Sequence, residues 1–300
     1  MDKKELKNLV AKMDKTELTD DARKQIKGSF IRLNTGTTHY EMKGNGEPII
    51  LVHGYATPYY IYDKLFNNFV EDGYKVIRYD LIGRGYSDRP LIDYTPEAFV
   101  NQLNELANAL IGDESFYLIG TSMGGIICSS YCAKYPEKVK KLVLLAPAGM
   151  DSYKVPIYMK ICKSKIFGKF IFNNFAGKLL LKHCASEIYY LGIEEKDSYM
   201  RQFGDAAKYK GFLRCTLSSL RNTILNFKES MKGYESLGKT EIPILCIWGT
   251  HDKTMPYYQH TRLLDVCKQT KLISYENSGH IFLYDEGSRT YNDAIKFIKD

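Results

Sequence analysis

The stretch Gly120-Thr121-Ser122-Met123-Gly124-Gly125 decides how the rest of this chain is read. A short apolar run over residues 116–119 precedes it, and a helical stretch over 123–135 follows. A serine at such a strand-to-helix junction projects from a sharp turn in a strained backbone conformation, and glycines two positions to either side relieve the crowding. The helix behind it aims free N–H groups and the positive end of its dipole at charge developing on a bound molecule. Ser122 is therefore the candidate nucleophile.

Outward from this point the chain alternates short apolar runs with helical stretches. The runs lie at 48–52, 74–79, 116–119, 141–145, 244–248 and 271–275, with a further strand at 38–43 ahead of the turn Gly44-Asn45-Gly46. They are continuously apolar, as expected of parallel strands covered on both faces. Helices are expected at 60–71, 96–111, 123–135, 257–267 and 288–299. This order predicts an α/β fold with a doubly wound, mostly parallel sheet. About a hundred residues separate the runs at 141–145 and 244–248, far more than an ordinary connection. They are expected to form a helical cap over the site. The division is then a charged amphipathic helix over 1–27 (Leu6, Leu9, Val10, Met13), a core of 28–148 and 241–300, and a cap of 149–240.

An acyl-transfer serine needs a base, an acid to orient it and donors for an oxyanion. His280 lies in Asn277-Ser278-Gly279-His280, a glycine-flanked loop after the final strand, and is the candidate base. His39 precedes the sheet core, His183 falls in the insertion, His251 adjoins the acid and His260 sits on a helix. Asp252, in Trp248-Gly249-Thr250-His251-Asp252, follows the penultimate strand, where a carboxylate can fix the tautomer of the base. Asp151 is the lesser alternative. The backbone N–H groups of Tyr55 and Met123 are the candidate oxyanion donors. His53 is assigned to tying neighbouring loops together rather than to catalysis.

His53-Gly54 after a strand, G-x-S-x-G, Gly249 and Asp252 after the penultimate strand and Gly279-His280 after the last together resemble the α/β-hydrolase family. The order Ser…Asp…His is the family's order. The loop Asp80-Leu81-Ile82-Gly83-Arg84-Gly85-Tyr86-Ser87-Asp88 is similar to the family's loop after strand four and is read as structural. The resemblance covers residues 36–148 and 243–299. Thr121 departs mildly from the residues common before the nucleophile, and Ser122 argues against relatives that use an aspartate there to open epoxides or cleave carbon–halogen bonds. The resemblance implies a serine hydrolase of carboxylic esters, lipid-like esters such as monoacylglycerols included, working without cofactor or metal. Carbon–carbon or thioester hydrolysis on the same fold is an alternative, as is a ligand-binding receptor of low turnover.

Composition sets the outer limits. The 300 residues are 44% hydrophobic and 26% charged, an ordinary globular balance. The net charge of +7 resides in one segment, since residues 151–240 hold 16 Lys/Arg against 8 Asp/Glu. No nucleic-acid module is recognisable, so no nucleic-acid partner is expected. Seven scattered cysteines show no metal-type pairing and are read as buried thiols of a reducing compartment. With no apolar leader and no spanning run, the expected location is cytoplasmic. Between Tyr153 and Ser186 stand seven lysines and no acidic residue. Phe167, Phe170, Ile171 and Phe175 cluster on one helical face there, with Lys165 and Lys169 opposite. Either that helix lies at an anionic membrane surface, or its apolar face covers the site and its lysines are merely solvated. Both readings predict a small-molecule ester with an apolar acyl group as substrate.

Overall fold

The computed structural model describes residues 3–150, 157–164, 167–186, 188 and 192–300. Eight strands form one sheet: β1 (Ser29–Leu33), β2 (Gly36–Lys43), β3 (Pro48–Val52), β4 (Lys75–Tyr79), β5 (Phe116–Thr121), β6 (Val139–Leu145), β7 (Ile244–Gly249) and β8 (Thr270–Tyr275). Their order is β1-β2-β4-β3-β5-β6-β7-β8. The β1–β2 and β2–β4 pairs are antiparallel and every later pair is parallel. Strands β3, β5 and β7 are buried along their whole length, which is why they read as unbroken apolar runs.

The helices are α1 (Lys3–Lys12), α2 (Asp20–Arg23), α3 (Asp63–Glu71), α4 (Pro96–Ile111), α5 (Met123–Lys134), α6 (Ile157–Cys162), α7 (Phe167–Ser186), α8 (Ile193–Ala207), α9 (Phe212–Ser219), α10 (Phe227–Leu237), α11 (His260–Val266), α12 (Phe282–Asp285) and α13 (Gly287–Lys299). Helix α4 starts as its sequence dictates. Thr95 caps it through its hydroxyl to the Ala98 N–H, and Pro96 occupies the first turn, where no N–H partner is needed.

Three expectations change. Strand β1 lies where no strand was expected. Its Ser-Phe-Ile-Arg-Leu run is only half-buried at the sheet edge, so it lacks the apolar signature of the inner strands. The N-terminal helix ends at Lys12 rather than running towards residue 27, because Asp14 takes a positive φ of 61° that stops it. Its apolar side packs on the insertion: Leu9 lies against Gly204, Met13 lies against Gly177, and Glu5 pairs with Arg201 at 2.8 Å. The end of the segment at 149–240 also belongs to the core. Helix α10 packs on α5, and its Tyr234 hydroxyl donates to the Ala148 carbonyl at 2.7 Å. The inserted helices are thus α6 to α9.

Candidate active site

In a doubly wound sheet, ligands bind beyond the carboxyl ends of the strands, where the strand order reverses. Here the chain builds β3 and β4 on one side and then crosses to β5 on the other, so the reversal falls between β3 and β5. The loops leaving those two strands carry His53-Gly54-Tyr55 and Ser122.

Ser122 has φ 53° and ψ −119°, a left-handed conformation that non-glycine residues rarely adopt. Packing enforces it. A Cβ on Gly120 would sit 2.5 Å from the Cys128 Sγ and 2.7 Å from the Gly124 carbonyl oxygen. A Cβ on Gly124 would lie 2.2 Å from the Val52 carbonyl oxygen. The turn can close only because both positions lack side chains. Met123 opens α5, where a first-turn N–H has no partner within the helix. The backbone of Gly54 passes against the serine: a Cβ there would be 3.1 Å from the Ser122 Cβ and 3.6 Å from its Oγ. The next residue is Tyr55. Its hydroxyl is engaged elsewhere, donating to the Thr216 carbonyl at 2.9 Å.

His280 and Asp252 meet as a pair, Nδ1 to Oδ2 at 2.7 Å, with the Asp252 side chain fully buried. The second carboxylate oxygen accepts the backbone N–H groups of Thr254 and Met255 at 2.8 and 2.7 Å. The His251 N–H donates to the Ser278 carbonyl at 2.9 Å, which ties the acid's loop to the base's loop. Ser122 and His280 line one cavity of about 90 Å³, whose walls also include Tyr55, Thr57, Ile61, Leu180 and Ile281. Leu180, on α7, is the inserted segment's contribution to the wall.

The other histidines fall into structural places. His53 is buried, its Nδ1 donating to the Gly54 carbonyl at 2.8 Å while its Nε2 accepts the Leu81 N–H at 2.9 Å. Burial pushes its pKa down to about 4, so the imidazole stays neutral and ties the β3 loop to the β4 loop. His39 forms a fully buried pair with Asp80 at 2.8 Å, and its Nε2 bonds the Lys27 carbonyl oxygen. Burial alone would raise the Asp80 carboxyl, but its hydrogen bond and charge interaction with His39 hold it below the usual range. His260 bonds the Tyr257 carbonyl oxygen and His251 the Thr250 hydroxyl. Asp151 and the side chain of His183 lie outside the described residues. The sequence reading did not identify the cavity walls. Thr57 and Ile281 could have been found by adjacency to Tyr55 and His280, whereas nothing local marks Leu180.

The described cysteines, Cys128, Cys132, Cys162, Cys215, Cys246 and Cys267, are free and buried, and the side chain of Cys184 is outside the described residues. Among the described residues no helix is long and apolar enough to cross a membrane.

Residues 47–161 match the sequence pattern of the alpha/beta hydrolase fold family. The chain has the α/β-hydrolase fold. The chain is 26% identical over 290 residues to a cis-3-alkyl-4-alkyloxetan-2-one decarboxylase of Shewanella oneidensis, an alignment that covers 92% of this chain and 89% of that one. It is 29% identical over 270 residues to Lipase 1 of Psychrobacter immobilis, covering 86% and 79%. An esterase structure from Exiguobacterium antarcticum superposes with a TM-score of 0.74 at 21% identity, covering 91% of this chain and 100% of the esterase. The last likeness concerns the fold.

Proposed function

We propose that this protein is a serine hydrolase of carboxylic esters, with Ser122 as nucleophile, His280 as general base and Asp252 as its orienting acid. The observation that supports this reading is the 2.7 Å bond from Asp252 to His280 Nδ1, with His280 and Ser122 on the wall of the same cavity. Because Nδ1 is engaged, Nε2 is the nitrogen left for the serine proton.

In this mechanism Ser122 Oγ attacks the ester carbonyl carbon while His280 takes its proton. The carbonyl electron pair moves onto oxygen, where the N–H groups of Tyr55 and Met123 receive it. Collapse of the adduct breaks the bond to the alkoxy oxygen, and His280 returns the proton to the departing alcohol. Water then attacks the acyl-serine by the same route, releasing acid and restoring the hydroxyl. Asp252 stays ionised throughout and stabilises the transient imidazolium.

The cavity's lining of Ile61, Leu180 and Ile281 suits an uncharged acyl group, and its volume of about 90 Å³ suits a short one. Hydrolysis of 4-nitrophenyl esters from acetate to palmitate tests the reading. The expected profile peaks at acyl chains of about two to six carbons and vanishes in Ser122→Ala. Absence of turnover on every ester would remove the ester assignment. Turnover surviving in Ser122→Ala would remove the nucleophile.

A further inference from the structure

Exposed large apolar side chains are few on this molecule, and they concentrate on the inserted helices. Phe167, Phe170 and Phe175 on α7 are 70%, 68% and 57% exposed, and Leu179 is 42% exposed. The aromatic face therefore points to solvent and does not cover the cavity. It is Phe172, Ala176 and Leu181 that are buried, and Leu180 that reaches the cavity wall. Lys169 falls on the opposite side of α7 from Phe167, as the sequence pattern suggested, whereas later lysines share the aromatic side. Residues 167, 171, 175, 178 and 182 recur at helical spacing, so Lys178 and Lys182 continue the outer stripe that begins with Phe167. Lys165 lies outside the described residues.

Cations outnumber carboxylates around this face. Lys160, Lys163, Lys169, Lys178 and Lys182 are exposed, and among the described residues none pairs with a carboxylate. Beside α7 runs a groove of about 970 Å³ lined by Lys163, Lys169, Arg214 and Arg221, with Asp14 and Asp93 as its carboxylates. The guanidinium groups there contact backbone carbonyls, Arg221 at Cys162 and Ser164 and Arg214 at Arg89 and Pro90. Neither guanidinium forms an ion pair with a carboxylate among the described residues. Leu91, 86% exposed, also lines the groove.

A helix with outward aromatic side chains, a lysine continuation and an adjoining cationic groove is complementary to an anionic bilayer surface. We propose that this protein docks peripherally on anionic lipid through the outer face of α7. Phe167, Phe170 and Phe175 enter the headgroup boundary, while Lys178 and Lys182 meet the lipid charge. The opposite side of the same helix carries Leu180, so docking sets the cavity about one helix diameter, roughly 10 Å, from the lipid.

Flotation with vesicles of phosphatidylcholine alone or with about 30% phosphatidylserine tests this without any turnover, so the result is independent of the ester chemistry. Binding to the anionic vesicles is expected to exceed binding to the neutral ones. It should weaken as salt rises and the Debye length falls from about 10 Å at 0.1 M to about 3 Å at 1 M. Each lysine near the surface contributes about fivefold to partitioning, so joint Lys178→Gln and Lys182→Gln should lower it by about 25-fold. The triple change Phe167→Ser, Phe170→Ser, Phe175→Ser should remove the salt-resistant remainder. Phe170→Trp, a conservative change, gives a second readout: brominated lipid should quench its emission while sparing the buried Trp248. Equal recovery with both vesicle types, or no quenching in Phe170→Trp, would overturn the proposal. So would a concentration-dependent dimer that the triple change abolishes, which would assign the face to a second copy of the chain.

Discussion

Asp252 and His280 stand 28 positions apart in the sequence, yet they meet at 2.7 Å, Oδ2 to Nδ1, because β7 and β8 are parallel neighbours whose ends release adjacent loops. The carboxylate is held from behind by two backbone N–H groups, so it presents one oxygen in a fixed direction.

Asp252→Asn should separate folding from chemistry. The amide oxygen can keep the bonds from Thr254 and Met255, and the NH₂ group then faces His280 Nδ1, forcing the wrong tautomer. The expected loss in kcat is about 10⁴ with little change in thermal midpoint. Rates on a soluble ester and circular dichroism together check it. Retained activity would move the acid elsewhere, Asp151→Asn being the comparison.

Tyr55→Phe removes a hydroxyl that bonds Thr216 and leaves the backbone N–H in place. Activity should stay within a few-fold of the parent, while stability falls by about 1 kcal/mol for the lost hydrogen bond. A drop in kcat of about 10²–10³, the cost of losing an oxyanion donor, would show instead that the hydroxyl is the working group.

Gly124→Ala should fail differently, through structure. Its Cβ would lie 2.2 Å from the Val52 carbonyl oxygen, a backbone atom of a fully buried strand that cannot yield. Destabilisation of about 3 kcal/mol or more is expected, with loss of activity. Urea unfolding measures it, and a wild-type midpoint would refute the steric account of the turn.

His53 makes stability depend on pH. Its folded pKa of about 4 lies below the ordinary 6.5, so the neutral form is the one the fold stabilises. The contribution is complete above pH 6.5. It is lost as pH falls towards 4, because the unfolded chain takes up the proton first. The loss amounts to about 3 kcal/mol over that window. His53→Gln keeps an acceptor for the Leu81 N–H and cannot titrate, so its stability should fall less between pH 6.5 and 4. Parallel curves for the two proteins would contradict this.

Much of this site was legible in the sequence because its members follow strands buried on both faces. Such strands must be apolar throughout, so Ser122, Asp252 and His280 stood out as polar residues at the ends of apolar runs. His53 was legible for the same reason. The features that escaped depend on packing between distant segments. β1 escaped because an edge strand needs no continuous apolar signature. The docking of α1 on α8 and the inward turn of Leu180 depend on how the insertion folds back. The Phe167, Phe170 and Phe175 face was seen as a cluster, but periodicity alone cannot say whether such a face meets protein or solvent.

The account rests on Ser122 carrying the acyl group, and intact-protein mass spectrometry after treatment with a fluorophosphonate tests that most directly. The native protein should gain one phosphonyl adduct, mapped by peptide analysis to Ser122, and Ser122→Ala should gain none. An adduct persisting in Ser122→Ala, or an unmodified native protein that still hydrolyses esters, would contradict it.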